Sequence, residues 1–360
     1  MVPEMLRRLL PVIWAHRAFA SLSRLTFGST GAILMFHEVQ EDPDDELRTG
    51  CSPEFLDALL RGLIAAGWDI VTLDEALQRI RHRTGKRFVV ITFDDGYRDT
   101  FNRARPILER YSAPFTVYVP TAAITRELNA WWLGLRSIFR NHDVVRIDAM
   151  ERKFVCSSLP AKVKGLRQTF GWIAQDFSVL PMLCETFKAY RVSIEELVDR
   201  YCFDGKALKQ LARNPLVTIG GHSSTHRPLS LLDEDQMLGE IRDNRAFLEG
   251  LLDTKVEHLS YPYGTVRACG EREFAASSKL GFLSAVTAEK NNLDRRHIRL
   301  HRLPRVDVTG GYWEGICTEM HPGARTEPSA VPRRSPTDPE AAHSHIGAPL
   351  IEASGGNGGG

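Results

Sequence analysis

Short apolar runs alternate with amphipathic segments along most of the chain. In the first third, apolar runs at 32–36, 69–72, 88–93 and 115–119 predict buried strands, and the segments between them have helical periodicity. Because strand and helix alternate, we expect parallel pairing through βαβ units, in a barrel or in an open doubly wound sheet.

The alternation stops between about residues 121 and 214, and then it resumes. This interval contains Trp131 and Trp132, and its helical segments do not continue the strand–helix order, so it predicts a helical insertion. We consider three roles for it: a lid, a partner surface, or simple extra helical packing, which is the usual use of tryptophan. Later strands are predicted at 216–220, 258–261 and 283–287, with a last extended piece at 298–306.

The two ends of the chain differ from its middle. Residues 1–30 form a basic amphipathic segment, and residues 1–27 within it predict a helix that packs on the domain or lies on a membrane surface. Residues 319–360 are dominated by Pro, Gly, Ser, Ala and charge, a composition typical of a disordered tail. The folded domain is therefore expected at 31–308.

Composition and charge mainly exclude classes of partner and location. The net charge of +1 gives no field that would attract nucleic acid. The six cysteines are scattered without a C-x-x-C pair, which favours free thiols in a reducing compartment. No apolar stretch approaches the ~18 residues of a membrane span. We expect a cytoplasmic or membrane-peripheral protein, and the sequence specifies no oligomeric state.

Two adjacent carboxylates, Asp94 and Asp95, end the apolar run 88–93 and precede Gly96. Consecutive strand residues point to opposite faces, so both carboxylates cannot be ordinary solvent-facing residues of a regular strand. Acids at the carboxyl end of a parallel strand are typical of an active-site rim. The competing interpretation is an ordinary Asp-Gly turn.

Two histidines, His222 and His226, follow a later predicted strand and are four residues apart. On a helical turn both imidazoles would project to one side. Two imidazoles and one carboxylate suit zinc or a similar divalent ion, with Asp94 or Asp95 as the third ligand and the other free to take a proton from water. Structural or surface histidines are the alternative.

Three segments together resemble a known family. Residues 92–96 (Thr-Phe-Asp-Asp-Gly), 222–226 (His-Ser-Ser-Thr-His) and 261–264 (Tyr-Pro-Tyr-Gly) are similar, in this order, to motifs of the polysaccharide deacetylases, the NodB-homology domain or carbohydrate esterase family 4. The resemblance spans about residues 32–305. It implies a distorted (β/α) barrel with a helical insertion, and metal-dependent removal of N-acetyl groups from amino-sugar polymers.

The resemblance also implies roles for the motif residues. Asp94 would be the general base, and Asp95, His222 and His226 would hold a divalent metal, most often Zn²⁺, with Co²⁺ or Ni²⁺ as alternatives. A backbone N–H of the third motif would help to stabilise the tetrahedral oxyanion. The third motif would line the substrate groove through Tyr261, Pro262, Tyr263 and Gly264.

The chain departs from the family pattern in three places. The arginine usual near the Pro-Tyr pair is missing, because Ser260 and its neighbours precede Pro262. The aspartate–tryptophan motif is not recognisable, and the late Leu-x-His motif has no clean match. In a branch exemplified by poly-N-acetylglucosamine deacetylases, the acid histidine comes from the first strand, a position that His37 matches, with His301 as second candidate. Arg305 is a candidate for the missing arginine.

The leading hypothesis is a deacetylase acting on oligo- or polysaccharides that contain N-acetylglucosamine, such as chito-oligosaccharides or exopolysaccharides. One alternative is a carbohydrate-binding or scaffold protein with a degenerate catalytic site, which the missing motifs suggest. Another is an amide hydrolase on the same barrel that acts on a small cyclic amide.

Overall fold

Seven parallel strands pair in a closed ring. A computed structural model describes residues 31–40, 47, 50–82, 85–293 and 298–307 of the chain. The strands in chain order are β1 (Gly31–Phe36), β2 (Asp69–Ile70), β3 (Phe88–Phe93), β4 (Phe115–Val119), β5 (Val144–Ile147), β6 (Arg152–Val155), β7 (Val217–Gly221), β8 (His258–Ser260), β9 (Ser284–Lys290) and β10 (Leu303–Asp307). The ring runs β1-β10-β9-β8-β7-β4-β3 and closes by the pairing of β3 with β1, while β2 pairs only with the first residues of β3.

Helices surround this ring. In chain order they are α1 (Pro53–Ala65), α2 (Leu73–His82), α3 (Arg105–Arg110), α4 (Thr121–Thr125), α5 (Trp131–Asn141), α6 (Leu159–Gln175), α7 (Leu183–Ala189), α8 (Ile194–Tyr201), α9 (Gly205–Ala212), α10 (Glu234–Leu252) and α11 (Glu271–Lys279). The predicted (β/α) barrel is therefore confirmed, and the open doubly wound sheet is excluded because the ring is closed.

The register of the first and third strands sets the position of the site. Every residue of β1 and β3 is buried, as expected for parallel strands covered on both faces. The two strands pair from Gly31↔Phe88 to Phe36↔Phe93 without a shift. His37 and Asp94 therefore leave the barrel at the same level, and the Asp94 N–H donates to the Phe36 carbonyl at 3.0 Å.

The interval 121–214 lies between β4 and β7. We predicted a helical insertion there, but the interval also contains two strands. Strands β5 and β6 form an antiparallel hairpin within it, pairing from Val144↔Val155 to Ile147↔Arg152. Each strand has four residues, too few for a period of two to be distinguished from a helical pattern. The interval has a hydrophobic core of its own, built largely around α5 and α6.

Several predicted element boundaries shift. Ser52 caps α1, and its hydroxyl accepts from the Phe55 N–H at 3.2 Å, as is usual for serine at a helix N-terminus. The last extended piece contains a strand only from Leu303, since residues 300–302 form a turn.

None of the described helices is long and apolar enough to span a bilayer. The predicted amphipathic segment 1–30 and the predicted tail 319–360 lie outside the described residues.

Candidate metal and catalytic site

Both carboxylates of the Asp94-Asp95 pair reach one site because the backbone reverses directly after β3. Asp95 has φ 68° and Gly96 also has φ 68°. Aspartate tolerates this left-handed conformation better than most residues, and glycine adopts it freely. The turn breaks the strand alternation that would have sent the two side chains to opposite faces. Both are buried at the carboxyl end of the barrel.

The two histidines converge through a tight loop, and the predicted helical turn is wrong. His222 directly follows β7, and the loop then passes through left-handed conformations at Ser223 (φ 60°) and His226 (φ 59°). The His226 N–H donates to the Ser223 hydroxyl at 3.0 Å, which closes the loop on itself. The imidazole centroids are 4.8 Å apart. The four-residue spacing therefore correctly predicted that the two imidazoles lie together, although the segment that joins them is not helical.

Asp95, His222 and His226 form a compact cluster. The Asp95 Oδ1 lies 3.3 Å from His222 Nε2 and 3.2 Å from His226 Nε2. All three side chains are buried, and their candidate ligand atoms lie within 4.8 Å of one another. Within the described part of the chain, it is the only group of three or more His, Cys, Asp or Glu side chains with this spacing.

The donor atoms of this cluster fit a divalent metal ion. His222 Nδ1 lies 2.7 Å from the Ser260 carbonyl, which can only accept, so Nδ1 carries a proton and Nε2, 3.3 Å from Asp95, is the nitrogen that an ion would use. Such a second hydrogen bond is the usual way in which proteins orient a metal-binding imidazole. The 3.2 and 3.3 Å separations match the ~3.3 Å edge of a tetrahedron with bonds of about 2.0–2.1 Å. Two imidazoles and a carboxylate suit zinc and neighbouring transition metals equally.

Electrostatics within the cluster oppose the effect of burial. Burial alone would raise the pKa of Asp95, but contacts with His222 and His226 hold the pKa of that carboxyl well below its usual range. Burial would lower the pKa of His222, but the charges of Asp94 and Asp95 raise it. The pKa of His226 is lowered, chiefly because of its burial. Asp95 is therefore an ionised carboxylate facing two imidazoles.

Asp94 is held by a buried arginine. Arg305 on β10 donates from Nη1 to Asp94 Oδ1 at 2.8 Å and from Nη2 to Asp94 Oδ2 at 2.6 Å. The Ser260 hydroxyl accepts from Arg305 Nη2 at 3.0 Å and lies 3.3 Å from Asp94 Oδ2. Burial works against ionisation, but the guanidinium charge lowers the pKa of Asp94. Arg305 therefore stands beside Asp94, as proposed from the sequence, and Ser260 leaves room for it.

The two candidate acid histidines lie at different ends of the barrel. His37 follows β1 and is buried, and it directly follows Phe36, which pairs with Phe93 just before Asp94. His301 precedes β10, at the opposite end of the parallel strands. Its Nδ1 lies 3.2 Å from the Ser277 hydroxyl on α11. His37 therefore leaves the barrel at the same edge as Asp94 and remains the candidate acid, whereas the strand direction puts the second choice, His301, at the opposite edge.

The segment 261–264 is divided between core and site. Tyr261 is fully buried, and its hydroxyl pairs with Ser277 at 2.7 Å, so its side chain packs beneath α11 and cannot line a groove as expected. Pro262 is also buried. The half-buried ring of Tyr263 lies 4.8 Å from the ring of His226. Gly264, at φ 57°, passes so close to β9 that a Cβ would meet a backbone nitrogen at 2.3 Å.

Helix α10 supplies two polar side chains that the sequence interpretation missed. Asn244 accepts from the His222 N–H at 2.9 Å and donates to the Val119 carbonyl at 3.1 Å. Glu240, one turn earlier, accepts from the Thr225 N–H at 2.7 Å. Both are buried, and together they hold the histidine loop against β4. Two polar residues four apart on the buried face of an amphipathic helix are the signal that could have identified them.

Helix α5 brings two tryptophans to the same place. The Trp132 ring lies 5.2 Å from His226, and its Nε1 donates to the Tyr97 hydroxyl at 2.6 Å. Trp131 Nε1 donates to the Tyr263 hydroxyl at 2.8 Å. Both indoles are buried, so this region of the insertion forms one wall of the candidate metal site.

Comparisons with known proteins agree with this geometry. The family model described as polysaccharide deacetylase matches residues 81–151 and 176–282, which include Asp94, Asp95 and both histidines. Members of this family are amide-hydrolysing carbohydrate deacetylases, and those of carbohydrate esterase family 4 are generally metal-dependent. No curated protein matches the chain in sequence.

Solved structures show the same fold. The deacetylase PplD of Streptococcus pyogenes, solved with acetate, is 17% identical with a TM-score of 0.52, over 81% of this chain and 98% of its own. IcaB from Ammonifex degensii is also 17% identical with a TM-score of 0.52, over 80% of this chain and 96% of its own. With the matched motifs converging at the carboxyl end of this barrel, the chain belongs to the polysaccharide deacetylase family.

Proposed function

We propose that this protein is a metal-dependent deacetylase that removes N-acetyl groups from N-acetylglucosamine units of an oligo- or polysaccharide. The observation that carries the proposal is the Asp94 carboxylate, clamped by Arg305 and lying 4.0 Å from His222, one of the three clustered candidate ligands. A proton acceptor beside a set of two imidazoles and one carboxylate that could hold a metal ion is suited to metal-assisted amide hydrolysis.

Asp95, His222 and His226 would hold the ion, which we expect to be Zn²⁺, with Co²⁺ or Ni²⁺ as alternatives. When bound, such an ion polarises the acetyl carbonyl and makes a neighbouring water more acidic. The ring hydrogen bond from His222 to Ser260 keeps Nε2 available for the ion without any rearrangement.

Asp94 would accept the proton from the attacking water. It is suited to this because the Arg305 charge keeps it ionised and the two parallel hydrogen bonds fix its orientation. His37 would then donate a proton to the leaving nitrogen, so that the amide C–N bond breaks to give acetate and a free amine. One histidine at the exit of β1 and one aspartate at the exit of β3 thus handle the two proton transfers.

The substrate class rests on the family to which the chain belongs, and chito-oligosaccharides and exopolysaccharides both remain candidates. A cytoplasmic or membrane-peripheral location and a membrane contact through residues 1–27 stay predictions. The scaffold alternative drew support from the missing arginine and the missing late motifs. Arg305 stands beside Asp94 from a different strand, which answers the first of these two arguments.

Acetate release from N-acetylglucosamine oligomers tests the proposal. The protein, stripped with chelator and then supplied with Zn²⁺ or Co²⁺, should release acetate and expose free amines only after the metal is restored. Oligomer binding without acetate release under any metal would support a carbohydrate-binding protein. Turnover of a small cyclic amide in place of the oligomer would support the second alternative.

A further inference from the structure

A buried ion pair joins the insertion to the segment that carries His37. Arg136 on α5 donates to both carboxylate oxygens of Glu38, at 2.9 Å from Nη2 to Oε1 and through a second, shorter bond from Nη1 to Oε2. Glu38 is fully buried and Arg136 is only 4% exposed. The partners are 98 residues apart in the sequence. The pair is therefore a long-range contact, and no local structure requires it.

Glu38 is the residue directly after His37, and its backbone is held as well. The Glu38 carbonyl accepts from the Cys51 N–H at 3.0 Å, and the next N–H, of Val39, donates to Asp99 at 2.9 Å. On the other side of His37, the Phe36 carbonyl accepts from the Asp94 N–H at 3.0 Å. The backbone around His37 is thus fixed before and after it, and Arg136 fixes the neighbouring side chain.

Stability alone gives a weak reason for such a pair. Removing two charges from water is costly, and replacing a buried ion pair by apolar side chains of similar size is often neutral or stabilising. A bidentate guanidinium–carboxylate pair does, however, define both the distance and the orientation of its partners. An ion pair of this kind next to a proton donor is better explained by positioning than by folding energy.

Helix α5 makes this connection as one element of a broader contact with the site. Trp132, one turn before Arg136, packs on the candidate ligand His226, and Trp131 hydrogen-bonds Tyr263. The Arg136 guanidinium also lies 5.4 Å from the centroid of the Tyr201 ring, on α8. The position of Arg136 is therefore set by the packing of the insertion. Through Arg136, the insertion in turn fixes the Glu38 side chain.

We propose that Glu38 and Arg136 form a positioning pair that holds His37 where it can protonate the leaving nitrogen. The proposal rests on the proposed function, in particular on His37 as the acid. It gives the insertion a role in the reaction itself, because α5 carries both the ion-pair partner of Glu38 and Trp132, which packs on the candidate ligand His226. Loss of the pair should impair proton donation and spare metal binding and substrate binding.

A double replacement, Glu38→Leu with Arg136→Met, removes the pair without leaving a buried charge. We expect kcat for acetate release from N-acetylglucosamine oligomers to fall about 10- to 100-fold, less than the ~10²- to 10⁴-fold that a general acid contributes, because the pair positions the acid and does not replace it. KM, zinc affinity by chelator competition, and the thermal midpoint should stay near wild type. Hydrolysis of 4-nitrophenyl acetate should be little changed, because its phenolate leaves without a proton.

Phe139→Leu is the matched control for damage to the insertion core. Phe139 lies on the same helix and packs on Phe154 with ring centroids 5.4 Å apart, away from the site. The Phe139→Leu variant should have a lower thermal midpoint and an unchanged ratio of amide to ester turnover. Arg136→Lys serves as a second variant in case the double variant folds poorly, since lysine keeps the charge but loses the fork. It should lower the same ratio by a smaller factor.

His37→Asn separates failure of this proposal from failure of the proposed function. If His37→Asn keeps full amide turnover, His37 is not the acid, and the assignment of roles is wrong. If His37→Asn loses amide but not ester turnover while the Glu38/Arg136 double variant and Arg136→Lys both behave as wild type, the positioning pair is refuted and the deacetylase stands. A proportional loss of amide and ester turnover in the pair variants would also refute it, because that pattern indicates general damage.

Discussion

Replacement of Arg305 by methionine tests how the proposed base is kept ionised. Arg305 donates two hydrogen bonds to Asp94 and one each to Thr92, Ser260 and the Thr287 carbonyl, and it is 1% exposed. Methionine is of similar length and apolar, so it removes the charge without leaving a large cavity. Asp94 would then remain in the barrel with its counter-charge gone.

The expected loss of stability in Arg305→Met follows from the burial of both Arg305 and Asp94. Breaking a buried ion pair by removing one partner typically costs about 3–5 kcal/mol, because the remaining charge is uncompensated. Some of that cost can be avoided if Asp94 takes up a proton. Burial raises its pKa and Arg305 is the main group that lowers it, so the pKa of Asp94 must rise in the variant. A protonated Asp94 cannot accept a proton from water.

The direction in which stability and turnover depend on pH follows from the lowered pKa of Asp94. In the wild-type protein the pKa of Asp94 is lowered, so it contributes stability above its unfolded pKa, and that contribution is lost as the pH falls through the folded pKa. In Arg305→Met the acidic limb of the kcat/KM profile should move to higher pH. Turnover at pH ~7 should fall about 10²- to 10⁴-fold, the range typical of lost general base catalysis.

The assay is acetate release across the pH range with saturating metal, together with urea unfolding. Arg302→Met is the matched control, because Arg302 is a neighbour on the same segment whose pair with Glu289 is 36% and 26% exposed. Such surface pairs contribute about 0–1 kcal/mol, so this variant should be nearly silent. An Arg305→Met enzyme with an unshifted acidic limb and normal turnover would refute the reasoning.

Three further predictions concern single side chains. Asp95→Ala should abolish tight binding of Zn²⁺, seen as loss of competition with a chromogenic chelator, because it removes the only carboxylate of the cluster. Asp94→Asn should still bind the metal but lose acetate release by about 10²-fold or more, since an amide cannot take the proton. Asp74, whose pKa is lowered chiefly by its close contact with buried His258, stabilises the fold above its unfolded pKa. Asp74→Asn should therefore reduce the loss of unfolding free energy on acidification to pH ~3, by no more than about 1 kcal/mol because Asp74 is half exposed.

Each of these has an outcome that contradicts it. Retained metal affinity in Asp95→Ala would move the metal elsewhere, and normal turnover in Asp94→Asn would end its assignment as base. For Asp74→Asn, an acid-induced loss of stability equal to wild type would show that its contact with His258 is energetically silent.

The barrel was predictable from local sequence because its strands are buried on both faces. The run 32–36 is continuously apolar, the run 88–93 is interrupted only by Thr92, and Ser52-Pro53 marks the start of the helix that follows β1. The β5–β6 hairpin was not predictable, since four-residue strands carry too little periodicity. Its identity depends on packing against the insertion core, in which Val145 and Ile147 are buried.

The candidate metal ligands could also be read from motif order, because each follows a strand and parallel strands end at one edge. The sequence by itself thus determined the barrel, its family, and the residues Asp94, Asp95, His222 and His226. Only the tertiary structure decided how they meet: through left-handed turns, not a helix. The sequence offered Arg305 only as a candidate, and the structure showed that it holds Asp94 from 211 residues away and that Arg136, 98 residues away, holds Glu38. Such pairs depend on strand register and helix docking, and these are properties of the folded chain that no local pattern encodes.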